Sequence, residues 1–314
     1  MNITIVGPGA LGCLFGVLLA RHAEQAGQGV RILDHNPERA ELLNRVGLSC
    51  TDGDGEEPAS VPVSASPSDV ETSDVVIFCV KSYTLNQALD NLRPHLRPET
   101  LLLFLQNGIS HLDIQERLQL AQPPAYGVSS EGATLLGTGK VRHGGHGITR
   151  LGFLSSVSRE RSALLTALSK RFDQAGIKTS LSADILGRIW QKLFVNIGIN
   201  PLTAIYNRSN GQLLTSCAAR SRLKNLVREA EEVAKAKKIN IHEDPVNATL
   251  SVCRSTARNI SSMLQDVRSH RQTEIEAISG ALIREAQNIG IQTPYNDKVY
   301  REVKAIEERQ RHES

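Results

Sequence analysis

Ile3-Thr4-Ile5-Val6-Gly7-Pro8-Gly9-Ala10-Leu11-Gly12 decides how the rest of the chain is read. Four apolar or β-branched residues make a short strand, which stops at a G-x-G-x-x-G pattern and gives way to helical periodicity over 10–25. Strand, glycine turn and helix in that order begin a βαβ unit able to hold a dinucleotide. Gly7 permits the tight turn, Gly9 lets backbone approach a pyrophosphate, and Gly12 lets helix and strand pack closely. The helix N-terminus, with Pro8 in the loop and Ala10 and Leu11 opening the helix, then faces the phosphates. A glycine turn of purely structural use is the simpler alternative, and its place between a strand and a helix argues against it.

The pattern repeats downstream. Apolar runs at Ile3–Val6, Val30–Leu33, 75–80 and 101–105 alternate with helical patterns at 10–25, 37–46, 84–93 and 110–120, which predicts a parallel sheet covered by helices. Between 124 and 152, Gly137-Thr138-Gly139 and Gly144-Gly145-His146-Gly147 read as turns between short strands closing the first domain. Beyond 159 the strand signal fades. Helices are expected at 159–175, 184–200, 218–238, 244–259, 274–289 and 296–310. The fold class is therefore α/β: a Rossmann-type NAD(P)-binding domain over 1–158, followed by a mostly α-helical substrate-binding and catalytic domain over 159–314.

The second informative stretch is 190–204, where Lys192, Asn196 and Asn200 fall at i, i+4 and i+8 on a helix otherwise made of Trp190, Leu193, Phe194, Val195, Ile197 and Ile199. One amine and two amides on a helix apolar nearly all round are costly to bury without partners, and a bound polar substrate is such a partner. A solvent-facing stripe is the alternative, which the flanking Val195 and Ile199 disfavour. Pro201 is expected to end this helix.

Other positions carry chemistry only in context. The second strand ends Ile32-Leu33-Asp34-His35-Asn36. An acidic residue there favours the free ribose 2′-hydroxyl of NAD, whereas His35, Asn36 and Arg39 leave room for the 2′-phosphate of NADP. The plainer reading of Asp34 is a cap for the helix at Pro37. Lys81 and Gln106-Asn107-Gly108 follow strands at the carboxyl edge of the sheet, where such folds bind ligands, although a solvated lysine and an Asn-Gly turn read as well there. Thr273 and Glu276 read as a capping box, which would leave Glu274 only a favourable interaction with a helix dipole. Ser262 alone is a turn serine. Asp52-Gly53-Asp54-Gly55-Glu56-Glu57 looks superficially like a calcium loop, but the twelfth position is Val63, so a surface turn is expected.

Composition narrows the class. The 314 residues, 40% hydrophobic and 22% charged, fit a globular protein of two domains. A net charge of +3 without a dense basic cluster gives nucleic acid binding little support. No apolar run is long enough to cross a bilayer, and no secretory signal is expected before the first strand. Cys13, Cys50, Cys79, Cys217 and Cys253 are odd in number and scattered, as reduced core thiols of a cytoplasmic protein would be. No zinc-binding pattern is legible.

Taken together, several segments resemble the ketopantoate reductase (2-dehydropantoate 2-reductase) family of the pantothenate pathway: Gly7-x-Gly9-Ala10-Leu11-Gly12, Val80-Lys81, Gln106-Asn107-Gly108, 192–204, Asn210-Gly211, 261–266 and Thr273-Glu274-Ile275. They occur in the family's order, from residue 3 to about 290, and the Lys-x3-Asn-x3-Asn-Pro-Leu-Thr-Ala and Ser-Met-Leu-Gln-Asp segments are far more specific than the glycine motif. The resemblance implies hydride transfer from NADPH to the C2 ketone of ketopantoate, with Lys192 as general acid. It implies that Asn107, Asn196, Asn200, Asn210 and Ser262 hold the substrate. The glycine loop, Lys81, Asn107, Ala133 and Glu274 would meet the cofactor, with Glu274 contacting either cofactor or substrate. The family commonly has a basic residue at the end of the second strand; Asp34-His35-Asn36 departs from that and keeps NAD in play. The implied partner is a small-molecule substrate, not nucleic acid or membrane, in a cytoplasmic protein compatible with a homodimer. Two alternatives stand beside this reading: a reductase of another branched 2-oxo acid on the same scaffold, and a nicotinamide-sensing regulator without turnover. The regulator predicts loss of the proton donor, whereas Lys192, Asn196 and Glu274 are all present.

Overall fold

A computed structural model describes residues 1–26, 29–53 and 55–313. The chain forms two compact units, Met1–Gln106 with Asp113–Ile185, and Asn107–Leu112 with Leu186–Ser314. The first holds β1 (Ile3–Val6), α1 (Ala10–Ala26), β2 (Val30–Leu33), α2 (Pro37–Val46), β3 (Leu48–Asp52), β4 (Gly55–Ala59), β5 (Val63–Ser64), β6 (Val75–Phe78), α3 (Leu85–Leu92), β7 (Leu101–Phe104), α4 (Ile114–Arg117), β8 (Ala125–Ser129), β9 (Gly132–Gly137), β10 (Lys140–Gly145), β11 (Thr149–Phe153), α5 (Arg159–Gln174) and β12 (Thr179–Leu181).

The main sheet runs β12-β11-β8-β7-β6-β1-β2-β5. Every residue of β1, β6 and β7 is buried, as expected of parallel strands covered on both faces. They pair in register, Ile3 beside Val30 and Val75, and Val75 beside Leu101. The portion β5-β2-β1-β6-β7-β8 has the 3-2-1-4-5-6 order of dinucleotide-binding folds, and its switch point falls between β1 and β6. Leu14, Phe15, Val17 and Leu19 of α1 pack on Ile5, Ile32 and Ile77, with Phe15 edge-on to Phe172 of α5 at 5.3 Å between ring centroids.

Some expectations change. The first unit runs to Ile185 rather than 158, because β12 pairs with β11 and α5 buries Leu165, Leu168 and Phe172 in the same core. A second sheet, β4-β3-β10-β9, packs against α1. Gly137-Thr138-Gly139 joins β9 to β10 as a turn, but Gly144 and Gly145 end β10. The acidic glycine stretch is the β3–β4 hairpin, Asp52 pairing with Gly55; Asp54 lies outside the described residues. Of the helix expected over 110–120, only α4 forms, because residues 107–112 belong to the second unit.

The second unit is helical: α6 (Ile185–Tyr206), α7 (Cys217–Ala236), α8 (Pro245–Ser255), α9 (Ser262–Arg268), a π-helical stretch (Glu276–Gly280), α10 (Ala281–Asn288) and α11 (Pro294–Glu313). Pro201 does not end α6. It removes one backbone donor, yet the buried Leu202 and Ala204 hold the following turn, and the Thr203 hydroxyl lies within hydrogen-bond reach of the carbonyls of Ile199 (3.0 Å) and Asn200 (2.8 Å). Among the described residues no helix is long and apolar enough to cross a membrane.

Candidate active site

In the first unit, Gly7 takes φ +100°, and a Cβ there would stand 2.7 Å from Val80 Cγ1. A Cβ on Gly12 would lie 2.0 Å from the Gly7 carbonyl oxygen, so helix and turn pack as the motif requires. Gly9 is different: a Cβ there would meet only the Cys79 carbonyl oxygen, at 3.8 Å. The chain's own packing does not demand glycine at this position, and the loop backbone at the α1 N-terminus is left open to a ligand. That fits a pyrophosphate. Cys13 donates to the Pro8 carbonyl oxygen at 3.3 Å, and burial raises its thiol to about 12, so it stays protonated. Lys81 sits just beyond β6, half-buried, opening a short 3-10 turn. Ala133 is half-buried on β9, in the second sheet.

At the end of β2, Asp34 does not cap α2. Its buried carboxylate accepts from the Arg39 guanidinium, through Nε and Nη2, and from the Asn36 backbone N–H at 3.1 Å. Asn36, not Asp34, caps α2, its side chain accepting from the Arg39 N–H at 3.0 Å. The guanidinium is half-exposed and His35 is largely exposed, so both side chains face outward at this strand end.

In the second unit, sequence-distant groups meet. Gly108 at φ +80° turns the segment Asn107–Leu112 onto the π-helical stretch, where a Cβ would lie 2.0 Å from the Ala277 carbonyl oxygen. The Ile109 N–H donates to that oxygen at 3.1 Å, and Asn107 Nδ2 donates to Glu274 Oε2 at 3.0 Å. Glu274 is buried and held from its other side, because the Thr273 N–H and hydroxyl both donate to Glu307 Oε1 of α11, at 2.8 and 2.7 Å. The expected capping box therefore does not form. Glu276 instead accepts from Tyr300 at 2.6 Å and from Arg284.

Lys192 on α6 is half-buried, and burial draws its amine down from 10.5 to about 8 while the Glu274 carboxylate pulls it back up. The same carboxylate acts on His111, whose burial depresses it to about 4, leaving a neutral imidazole at physiological pH. His111 escaped the sequence reading. The only signal was its place four residues after Asn107, on a segment read as an ordinary helix start.

Of the remaining positions, Asn196 is half-buried and Asn200 buried, both on the face of α6 that carries Lys192. Asn210 is buried; its Nδ2 donates to Thr256 Oγ1 at 2.8 Å, and its Oδ1 has no hydrogen-bond partner among the described residues. Ser262 is exposed at the first position of α9, while Ser261 before it caps that helix and lies 2.6 Å from Thr203 Oγ1. Asn107, Lys192 and Glu274 form one cluster with His111, and among the described residues Ser262 makes no hydrogen bond to them.

Comparison with known proteins gives one direction. Residues 3–156 match the family model described as "Ketopantoate reductase PanE/ApbA", and residues 184–307 match "Ketopantoate reductase PanE/ApbA C terminal". A 2-dehydropantoate 2-reductase of Halobacterium salinarum is 32% identical over 295 residues, covering 94% of this chain and 95% of that one. A PanE/ApbA family ketopantoate reductase structure from Ralstonia eutropha superposes with a TM-score of 0.89 at 29% identity, over 99% of this chain and all of that one. A D-mandelate dehydrogenase structure with NADH and anilino(oxo)acetate does so at 0.88, also at 29% identity and with the same coverage.

Proposed function

The chain belongs to the ketopantoate reductase family, and on that premise we propose that it reduces the C2 ketone of ketopantoate to (R)-pantoate, with Lys192 as proton donor. It is a nicotinamide-dinucleotide-dependent oxidoreductase. The reduced nicotinamide, when bound, supplies the hydride. The observation that carries the proposal is the lowered Lys192 amine beside the Asn107–Glu274 pair. An acid near 8 is mostly protonated at neutral pH and gives its proton readily to a far more basic developing alkoxide. Its positive charge also stabilises that oxygen before the proton moves.

Around the reacting carbonyl, the amides of Asn196 and Asn200 donate to the substrate carboxylate. Asn210 Oδ1, buried without a partner among the described residues, accepts from the substrate hydroxyl, and Ser262 and Asn107 complete the set. Glu274 keeps Lys192 charged and fixes Asn107. In the first unit, the Gly7–Gly12 loop, Lys81 and Ala133 hold the dinucleotide. NADPH is the cofactor of this reading, with NADH also accepted: the inward-turned Asp34 presents Arg39 toward a 2′-phosphate, yet its carboxylate keeps lone pairs for a 2′-hydroxyl. Cytoplasmic location goes with the same reading.

A second substrate reading is favoured by the likeness to D-mandelate dehydrogenase: another 2-oxo acid, with a bulkier or aromatic substituent. Steady-state assays of the purified full chain decide between them, with ketopantoate and a panel of branched and aryl 2-oxo acids, each with NADPH and NADH. The proposal expects the highest kcat/KM for ketopantoate. A higher value for an aryl 2-oxo acid would replace it with the second reading, and no turnover of any would overturn both.

A further inference from the structure

The carboxyl ends of β3 and β10, the central pair of the second sheet, bring together three side chains that the reductase reading does not use. Asp52 ends β3, His143 lies on β10, and His146 follows its end. Their donor atoms all lie within 4.8 Å of one another: Asp52 Oδ2 is 3.0 Å from His146 Nε2 and 3.9 Å from His143 Nδ1. The two imidazoles are 4.1 Å apart between ring centroids.

Local backbone explains the convergence. Residues three apart on a regular strand point to opposite faces. Here the β10–β9 register shifts between His143 and Gly145, so two residues of β10 answer one step of β9. Such a bulge re-aims the next side chain, and His146 comes round to the face of His143. Parallel pairing of β3 with β10, Thr51 beside Arg142, sets Asp52 level with His143.

Glu131, its side chain buried, lies 2.6 Å from His143 Nε2, and the other ring nitrogen, Nδ1, is turned toward Asp52 Oδ2 at 3.9 Å. A carboxylate that fixes the ring of a ligating histidine through its far nitrogen is the usual support of a metal-bound imidazole. Tetrahedral zinc with bonds of about 2.0–2.2 Å sets its donors roughly 3.3–3.5 Å apart. The two measured separations bracket that value, and Asp52 and His146 are exposed enough to adjust.

We propose that Asp52, His143 and His146 form a binding site for a divalent transition-metal ion of the zinc class, held by one carboxylate and two imidazoles. The ion ties the β3–β4 hairpin to the bulge of β10, remote in sequence from Lys192 and Glu274, and serves structure rather than the hydride transfer. The sequence hid it because Asp52 and the histidines are about ninety residues apart with no spacing signature.

Zinc titration of tag-free, chelator-treated full-length protein tests this by calorimetry, together with the visible spectrum after Co2+ addition. The wild type should take up one ion per chain and give the intense bands of tetrahedral Co2+. His146→Ala and Asp52→Asn, both at exposed positions, should each weaken zinc binding at least about tenfold and lose the Co2+ bands. They should keep wild-type ketopantoate reduction, which reports that they fold. The wild-type melting temperature should rise saturably with zinc, and that of His146→Ala should not. Wild-type and variant curves that coincide would place the binding elsewhere, on the cysteines for instance, and overturn the site. No saturable uptake by the wild type would do the same.

Discussion

The Asn107 side-chain amide donates to Glu274 Oε2 at 3.0 Å, joining residues 167 positions apart. Neither residue is an obvious catalyst alone. Together they set a fixed, buried carboxylate that holds up the charge on Lys192 against the cost of burial. Glu274 is pinned through Thr273 to Glu307 and through Asn107 to a segment that docks on Ala277, so its position does not depend on one contact.

Lys192→Ala should lower kcat by roughly 10²–10⁴, the usual worth of a general acid, with cofactor affinity near the wild-type value. Pre-steady-state kinetics and cofactor titration check both halves. Near wild-type kcat would end the assignment. Lys192→Met should be as inactive yet melt higher. The folded amine, near 8, binds fewer protons than the unfolded amine, near 10.5, so stability rises with pH between those values and carries the full penalty below 8. At neutral pH, relieving it should raise Tm by roughly 2–4 °C per kcal/mol.

The pH profile should carry the same residue. Ketone reduction needs the ammonium form, so kcat/KM should hold below about 8 and fall as pH rises through it. Oxidation of the hydroxy acid needs the neutral amine and should rise through the same region. Profiles in both directions test this, and limbs of the same sign would exclude Lys192 as the group observed.

Glu274 and Glu276, two positions apart, should separate cleanly. Glu274→Gln keeps an acceptor for Asn107 but removes the anion, so the Lys192 amine should fall further and the alkaline limb of reduction move to lower pH, with KM for the keto acid raised. Glu276→Gln should cost about 1–2 kcal/mol through its contacts with Tyr300 and Arg284 and leave the pH profile alone. Identical behaviour of the two in kinetics and melting would make Glu274 structural.

The legible parts of the molecule were those where local pattern and tertiary structure agree. Ile3–Val6 and its glycine turn, the all-buried β6 and β7, and the Lys192–Asn196–Asn200 stripe could each be read from a short window. The second sheet could not: Gly55-Glu56-Glu57-Pro58 is exposed and polar, and pairs only because Leu48 and Cys50 beside it are buried in the core with α1. Pro201 and the capping box failed for a related reason. Each local rule was overridden by long-range partners, Ser261 against the buried Thr203 in one case and Glu307 in the other. His111 and the Asp52–His143–His146 cluster depend on a bulge or a diverted loop, neither of which leaves a periodic trace.

Cofactor preference is expected to turn on Arg39 as well as on Asp34. The Asp34 carboxylate lies buried against the guanidinium and the Asn36 N–H, which holds Arg39 at the strand end with half its surface exposed beside His35. A charge-assisted hydrogen bond is worth about 1.5–3 kcal/mol. Arg39→Ala should therefore lower kcat/KM for NADPH about 10–100-fold while leaving NADH within a few-fold, since the 2′-hydroxyl has no charge for the guanidinium to meet. Asp34→Ala should lower both. It frees the guanidinium from its anchor, costing NADPH its phosphate contact, and removes the acceptor that the ribose hydroxyl of NADH would use. Parallel kcat/KM measurements on the wild type and both variants give the answer. An NADPH-to-NADH ratio unchanged by Arg39→Ala would show that the guanidinium serves only to neutralise Asp34, and the preference would then have to come from His35 or from outside this strand end.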